Sequence, residues 1–322
     1  MTFGEIYGHG KAIAILKSVI ANGRIAHAYL FYGMEGVGKR TTAEVFARSL
    51  NCAEEDPPCG ACSSCRKAEH RNHPDIVTVA EDGPIIKIGT VKELLGQMKF
   101  RPREGRMRVF IMPEADRMNP AAANALLKTL EEPSAGNILL LTTARPHALP
   151  MTILSRCQLL RFPPLTREEV ACFLREKNSV PPDAAAILAA SSGGSIGKAL
   201  EMNRADYLTL RNAILDYLAS DDPADPIGRL AFAARFGTER EEISERLLIL
   251  KTCYRDALIC RETKEKGRLI FQDRTEAIRS IAGRLSGRDL LRNIGAIEAA
   301  AGAIDKNANK TLTLETMLIK FA

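Results

Sequence analysis

The sequence predicts an α/β module followed by an all-α region, and three observations carry that prediction. A short apolar run, Ala28–Tyr32, leads into a glycine-rich turn, Gly33–Lys39, and then into a helical pattern. Apolar runs of strand length then alternate with helix-like segments as far as Phe162. That alternation is the pattern of a parallel sheet with helices on both faces. After Pro163-Pro164 no further strand is legible, and the rest of the chain reads as helices.

The elements follow in order. Lys11–Asn22 sets Ile13, Leu16, Val19 and Ile20 on one helical face ahead of the first strand. Ala28–Tyr32 has the length and apolarity of a buried parallel strand. The helix after the glycine turn opens at Thr41 and keeps Val45, Phe46 and Leu50 in phase to about Asn51. Asp75–Ala80 reads as a second strand, and Ile85–Ile88 as a short extended piece behind a Gly83-Pro84 turn. Thr90 and Glu93 make a capping-box signature that opens a helix through Met98. Arg108–Met112 is a third strand, Asn119–Leu130 an alanine-rich helix stopped by Pro133, and Asn137–Thr143 a fourth strand. Leu159–Phe162 is a fifth. Beyond the proline pair, Arg167–Lys177, Pro182–Ala190 and Ser195–Asn203 read as three short helices, with a glycine turn at Ser191–Gly194. Tyr207–Ala322 is helical, broken most clearly at Asp221–Pro226 and Gly283–Gly287.

Composition narrows the function classes. With 322 residues the chain has room for two or three domains. A hydrophobic fraction of 46% beside 26% charged residues is that of a soluble globular protein. A net charge of +6 is compatible with a polyanionic partner without being diagnostic. Trp is absent and aromatics reach only 5%, which argues against a stacking platform for single-stranded bases. No run has the length of a membrane helix, and Met1–Gly10 lacks a signal pattern, so the expectation is a cytoplasmic chain with no membrane partner. In a reducing compartment its eight cysteines read as thiols or metal ligands.

Three constellations carry chemistry. Gly33, Gly36, Val37, Gly38 and Lys39 form a phosphate-binding loop between strand and helix: backbone N–H groups ring the phosphate oxygens and the lysine reaches the terminal phosphates. The next position calls for a Ser or Thr hydroxyl on Mg²⁺, and Arg40 stands there; Thr41, one residue on, is rotated by about 100° around the helix. The strand Phe110–Met112 is followed by Pro113-Glu114 where a metal-holding Asp would precede the Glu, so Mg²⁺ is not expected to be well held. ATP or ADP bound without hydrolysis is the expectation. Cys52, Cys59, Cys62 and Cys65, with Pro57, Pro58 and Gly60 turning the chain between them, suit a closed structural zinc site. His70 and His73 are spare ligand candidates. Cys157, Cys172, Cys253 and Cys260 read as small apolar residues. Arg101, Arg103, Arg106 and Arg108 make a basic cluster, which leaves open a zinc-containing nucleic-acid-binding module.

Several stretches resemble bacterial clamp-loader subunits. They are Arg24–Gly38 (RIAHAYLFYGMEGVG), Val109–Pro133 (VFIMPEADRMNPAAANALLKTLEEP) and Ile153–Cys157 (ILSRC). Asn307–Phe321 (NANKTLTLETMLIKF) resembles the end of the DNA polymerase III delta-prime family in particular. The losses at Arg40 and Pro113 fit a member without catalysis, and the chain lacks the long extension of tau-type subunits. The resemblance implies an AAA+ module over 1–163 with a zinc insertion at about 52–65, a three-helix lid over 164–205 and a helical collar over 206–322. It implies that Cys52, Cys59, Cys62 and Cys65 bind zinc, and that Arg156 is an arginine finger acting on ATP held by a neighbouring subunit. It makes Thr142 or Thr143 sensor-like, and sets Gly197 where hydrolysing relatives carry a second sensor arginine, with Lys198 beside it. The partners implied are gamma/tau and delta subunits in a hetero-oligomeric ring, the sliding clamp, and primer–template DNA through the assembly. The alternative is a gamma/tau-type motor that hydrolyses ATP itself.

Overall fold

Five apolar runs join edge to edge through parallel hydrogen-bond ladders. The computed structural model describes residues 1–79, 83–204, 207–220, 226–263 and 266–321. Its strands are β1 (Ala28–Tyr32), β2 (Ile76–Thr78), β3 (Arg108–Met112), β4 (Asn137–Thr143) and β5 (Gln158–Arg161). They pair in the order β2-β3-β4-β1-β5, every pair parallel. β3 and β4 are buried along their whole length and β1 nearly so, as expected of central strands covered on both faces. The edge strand β5 buries only Leu160.

The chain divides into two compact units, one of residues 1–178 with 193–198, the other of 179–192 with 199–322. In the first, the helices are α1 (Gly10–Ala21), α2 (Lys39–Leu50), α3 (Ser63–Glu69), α4 (Ile88–Gln97), α5 (Pro120–Glu131), α6 (Met151–Leu154) and α7 (Arg167–Asn178). Successive strand residues point to opposite faces, and each face has its own core. Tyr29, Phe31, Val109, Ile111 and Leu140 pack with Leu16 of α1 and Phe46 of α2. Leu30, Phe110, Leu139 and Leu141 pack with Leu94 of α4 and Leu126 of α5.

Most expected elements are present, with three local corrections. The helix after the glycine turn begins at Lys39, because Gly38 at φ +100° turns the chain directly into α2. The Thr90/Glu93 box lies inside α4, whose N-cap is Lys87; the extended piece before it reduces to one bridge between Ile86 and Met118. The second strand is shorter than expected, and Ala80 lies outside the described residues. Asn119 is the N-cap of α5, its side chain accepting the Ala122 N–H at 2.8 Å.

The second unit is helical throughout its described residues. It holds α8 (Pro182–Ser191), most of α9 (Ile196–Arg204), α10 (Tyr207–Ala219), α11 (Pro226–Ala234), α12 (Arg240–Glu262), α13 (Thr275–Arg284), α14 (Gly287–Asp305) and α15 (Lys310–Ile319). α12 packs on α13 and α14, and α11 on α15. Two buried charges fix the turn after α12: Asp256 accepts the N–H groups of Ile270 and Phe271, each at 2.8 Å. Arg211 pairs with Asp273 at 2.6 Å and lies over the Phe271 ring. The break at Gly283–Gly287 is real, with Ser286 and Asp289 making a capping box for α14. Of the break at Asp221–Pro226, residues 221–225 lie outside the described residues.

Candidate functional site

The glycine turn follows the C-terminal end of β1, where open α/β sheets hold ligands. Three of its glycines are required by geometry. A Cβ at Gly33 would collide with the Phe162 carbonyl oxygen, and one at Gly36 with the Ser195 hydroxyl. Gly38 has a left-handed backbone. Gly36 also accepts a hydrogen bond from the Gly197 N–H at 2.9 Å, so the turn before α9 lies directly on the loop. Val37 is buried, and its carbonyl meets His9 Nε2 at 2.7 Å.

Lys39 does not reach outward. Its Nζ donates to the Gly33 and Met34 carbonyls at 2.8 and 2.7 Å, and burial lowers its pKa. Arg40 lies along α2 with Nε on Glu44 at 3.3 Å. The hydroxyl of Thr42 is engaged with the Gly38 carbonyl at 2.9 Å, and Thr41 is half-buried on α2. None of these three supplies a hydroxyl at the position after the lysine.

Across the sheet, Pro113 is buried and Glu114 has a left-handed backbone at φ +46°. Glu114 pairs with Arg117, and its N–H donates to Thr142 Oγ1 at 3.3 Å. Thr143 Oγ1 donates to Asp116 at 2.6 Å and accepts the Arg145 N–H at 2.9 Å. Asp116 also holds Arg145 Nε at 2.8 Å. Burial works against the Asp116 charge, yet the bonds from Thr143 and Arg145 hold its carboxyl below the ordinary value. Both sensor-like threonines are thus committed to this chain's own groups. Lys198 follows the same turn as Gly197, its N–H on Ser195 Oγ at 3.1 Å.

The four cysteines converge as the spacing suggests. The Sγ atoms of Cys52, Cys59, Cys62 and Cys65 lie within 4.8 Å of one another. Backbone N–H groups point at the sulfurs: Cys62 N to Cys59 Sγ at 3.3 Å, Cys65 N to Cys62 Sγ at 3.4 Å, Cys59 N to Cys52 Sγ at 3.5 Å. The Cys65 N–H is the main reason the Cys62 thiol falls to about 6, while burial raises Cys65 to about 12. A soft, closed, N–H-supported S4 set is compatible with zinc. His70 and His73 are outside it. His73 meets Ser64 Oγ at 3.0 Å and accepts the Asp75 N–H on Nδ1 at 3.1 Å, tying α3 to the start of β2. With Nδ1 accepting, the ring proton sits on Nε2 and faces the serine. His73 is therefore not a base for Ser64.

Arg156 follows α6 and is one-third exposed, paired with Glu131 at the end of α5 at 2.8 Å. Of the basic cluster, Arg101, Arg103 and Arg106 are exposed on the loop before β3. Arg108 is not part of that surface: it is buried in β3 and lies over the Phe110 ring. Burial raises the Cys157 thiol to about 12 and pushes Cys253 up as well, so neither is activated. Cys172 differs from expectation in donating its thiol to Glu176 at 3.1 Å.

Sequence reasoning missed Asp116, His9 and Glu131. Asp116 carried a faint signal, as an acid two places beyond Glu114 after a strand; a single His ahead of the first helix carried none.

A parallel sheet in the order β2-β3-β4-β1-β5, with a glycine-rich loop of the phosphate-binding pattern leaving β1, defines an α/β module of the P-loop kind, and a helical unit accompanies it. The family model for DNA polymerase III, delta subunit, matches residues 8–166, and its C-terminal counterpart matches 205–322. The chain is 31% identical to DNA polymerase III subunit delta' of Bacillus subtilis, over 96% of this chain and 94% of that one. It is 35% identical to subunit tau of Escherichia coli over 62% of this chain, spanning 32% of that longer protein. A Thermotoga maritima structure, described as a DNA polymerase III gamma subunit-related protein, matches at 17% identity and TM-score 0.47. It covers 94% of this chain and 97% of that one, a likeness too loose to argue from. The chain belongs to the DNA polymerase III delta-prime family of clamp-loader subunits.

Proposed function

We propose that this chain is a non-hydrolysing subunit that completes a neighbour's ATP site with Arg156. The observation that carries the reading is a contrast within one module. Its own site has no hydroxyl after Lys39 and no carboxylate at Pro113, and Thr143 is bonded to Asp116. Arg156, in contrast, stands on a surface where Met151 is 75% and Leu159 44% exposed. A guanidinium stays charged, forks onto phosphate oxygens and stabilises transition-state charge in trans. The neighbours would be gamma/tau and delta subunits in a cytoplasmic ring held by the collar, which opens a sliding clamp and loads it on primer–template DNA. In this reading the lid spans 164–205 and the collar 206–322, the cysteine cluster carries one structural zinc, and ATP or ADP at Lys39 is not turned over.

The test is ATP turnover by the complex reconstituted with Arg156→Ala. Loss of a finger costs about 10³-fold or more at the site that depends on it. The complex should therefore lose that site's share of turnover and of clamp loading while assembling normally. Unchanged turnover in an assembled complex would refute the role.

A further inference from the structure

We infer that Glu131 is a counter-ion latch on Arg156, one that a neighbour's nucleotide must displace; this rests on reading Arg156 as a finger in trans. Arg156 is held by its own chain on two sides. Nη2 pairs with Glu131 at 2.8 Å, while Nη1 donates to the Thr152 carbonyl at 2.9 Å and to Ser155 Oγ at 3.3 Å. The two sides differ in chemistry. The Thr152 carbonyl and the Ser155 hydroxyl are neutral, so they aim the side chain without opposing an anion. Glu131 carries a full negative charge, cancelling the field Arg156 would offer and repelling incoming phosphate oxygens.

Glu131 is also the wrong sign for its place in the helix. It is the last residue of α5, where unpaired carbonyls already present negative potential and a cation is preferred. Its carboxylate therefore gains nothing from α5 and finds its partner in Arg156. The pair is open to solvent, Arg156 at 34% and Glu131 at 52%, so water and salt weaken it and it exchanges at little cost. A triphosphate carries several negative charges against the carboxylate's one, and takes the guanidinium while Thr152 and Ser155 keep it aimed.

The experiment is ATPase of the reconstituted complex, as a function of ATP and salt, with Glu131→Gln, Glu131→Asp and Arg156→Ala in this chain. Thermal unfolding of each purified variant verifies its fold. Glu131→Gln keeps the shape and removes the charge. It should lower the KM for ATP by about two- to five-fold at unchanged kcat, the range an exposed ion pair spans. The gap should narrow as salt rises, and Glu131→Asp should behave as the parent. If Arg156→Ala lowers turnover while Glu131→Gln leaves KM unchanged or raises it, the latch is overturned and the finger stands. If Arg156→Ala changes nothing, the finger reading itself fails and the latch with it.

Discussion

Lys39 has two roles to separate, one toward phosphate and one toward its own loop. Its ammonium bonds the Gly33 and Met34 carbonyls from a site only 9% exposed. Lys39→Ala would leave those carbonyls without a donor, so it should lower stability by about 1–3 kcal/mol. Denaturant unfolding of the chain alone measures this, with no change in turnover. His9 braces the same loop through Val37 and packs 4.8 Å from the Phe162 ring. Burial, partly opposed by the Val37 contact, pulls its pKa below 6.5. The unfolded chain therefore takes up the proton first as pH falls, so stability is full above about 6.5 and declines below it. The denaturation midpoint should drop between pH 6.5 and 5, and His9→Asn should flatten that slope relative to the parent.

At the scale of elements, the cysteine segment is organised by its own backbone N–H groups and the loop before β3 by polar side chains from outside it. Three consecutive backbone N–H groups, of Arg103, Glu104 and Gly105, donate to Asp75 at 2.8 Å each. Asn51 Oδ1 accepts the Met107 N–H at 3.0 Å at the other end of that loop. Asp75→Asn removes the charge these donors share and should cost about 1–3 kcal/mol, read as a lower thermal midpoint. The four cysteines should carry one zinc per chain by metal analysis. Cys59→Ser should abolish it and expose the segment around residues 52–65 to proteolysis, while the sheet, built from other residues, keeps its fold. Full zinc content in that variant would remove Cys59 from the ligand set.

For the whole molecule, the question is whether the chain turns over ATP unaided. On the proposed reading, the absent hydroxyl at Arg40 and the absent carboxylate at Pro113 both concern Mg²⁺, and the Thr143–Asp116 hydrogen bond engages a residue that the same reading makes sensor-like. The purified, metal-replete chain should hydrolyse no ATP above buffer. Steady turnover abolished by Lys39→Ala would instead make it a motor subunit.

Much of this was legible in the sequence because it is local. Ala28–Tyr32, 109–112 and 138–141 are continuous apolar runs, so their burial on both faces of a sheet is written in composition. The glycines at 33, 36 and 38 and the cysteines from 52 to 65 sit within a few residues of one another, so spacing alone announces a loop and a ligand set. Tertiary structure decided what those groups do with their hydrogen bonds. Asp116 on Thr143, His9 on Val37, Gly197 on Gly36, Asp75 on the loop before β3 and Glu131 on Arg156 pair residues remote in sequence. Such pairs have no period, and a polar side chain reads alike whether it meets water or a partner. Only the folded chain assigns their partners, by removing water from groups such as His9, Asp75 and Asp116, and at Glu131 and Arg156 by bringing two exposed charges together.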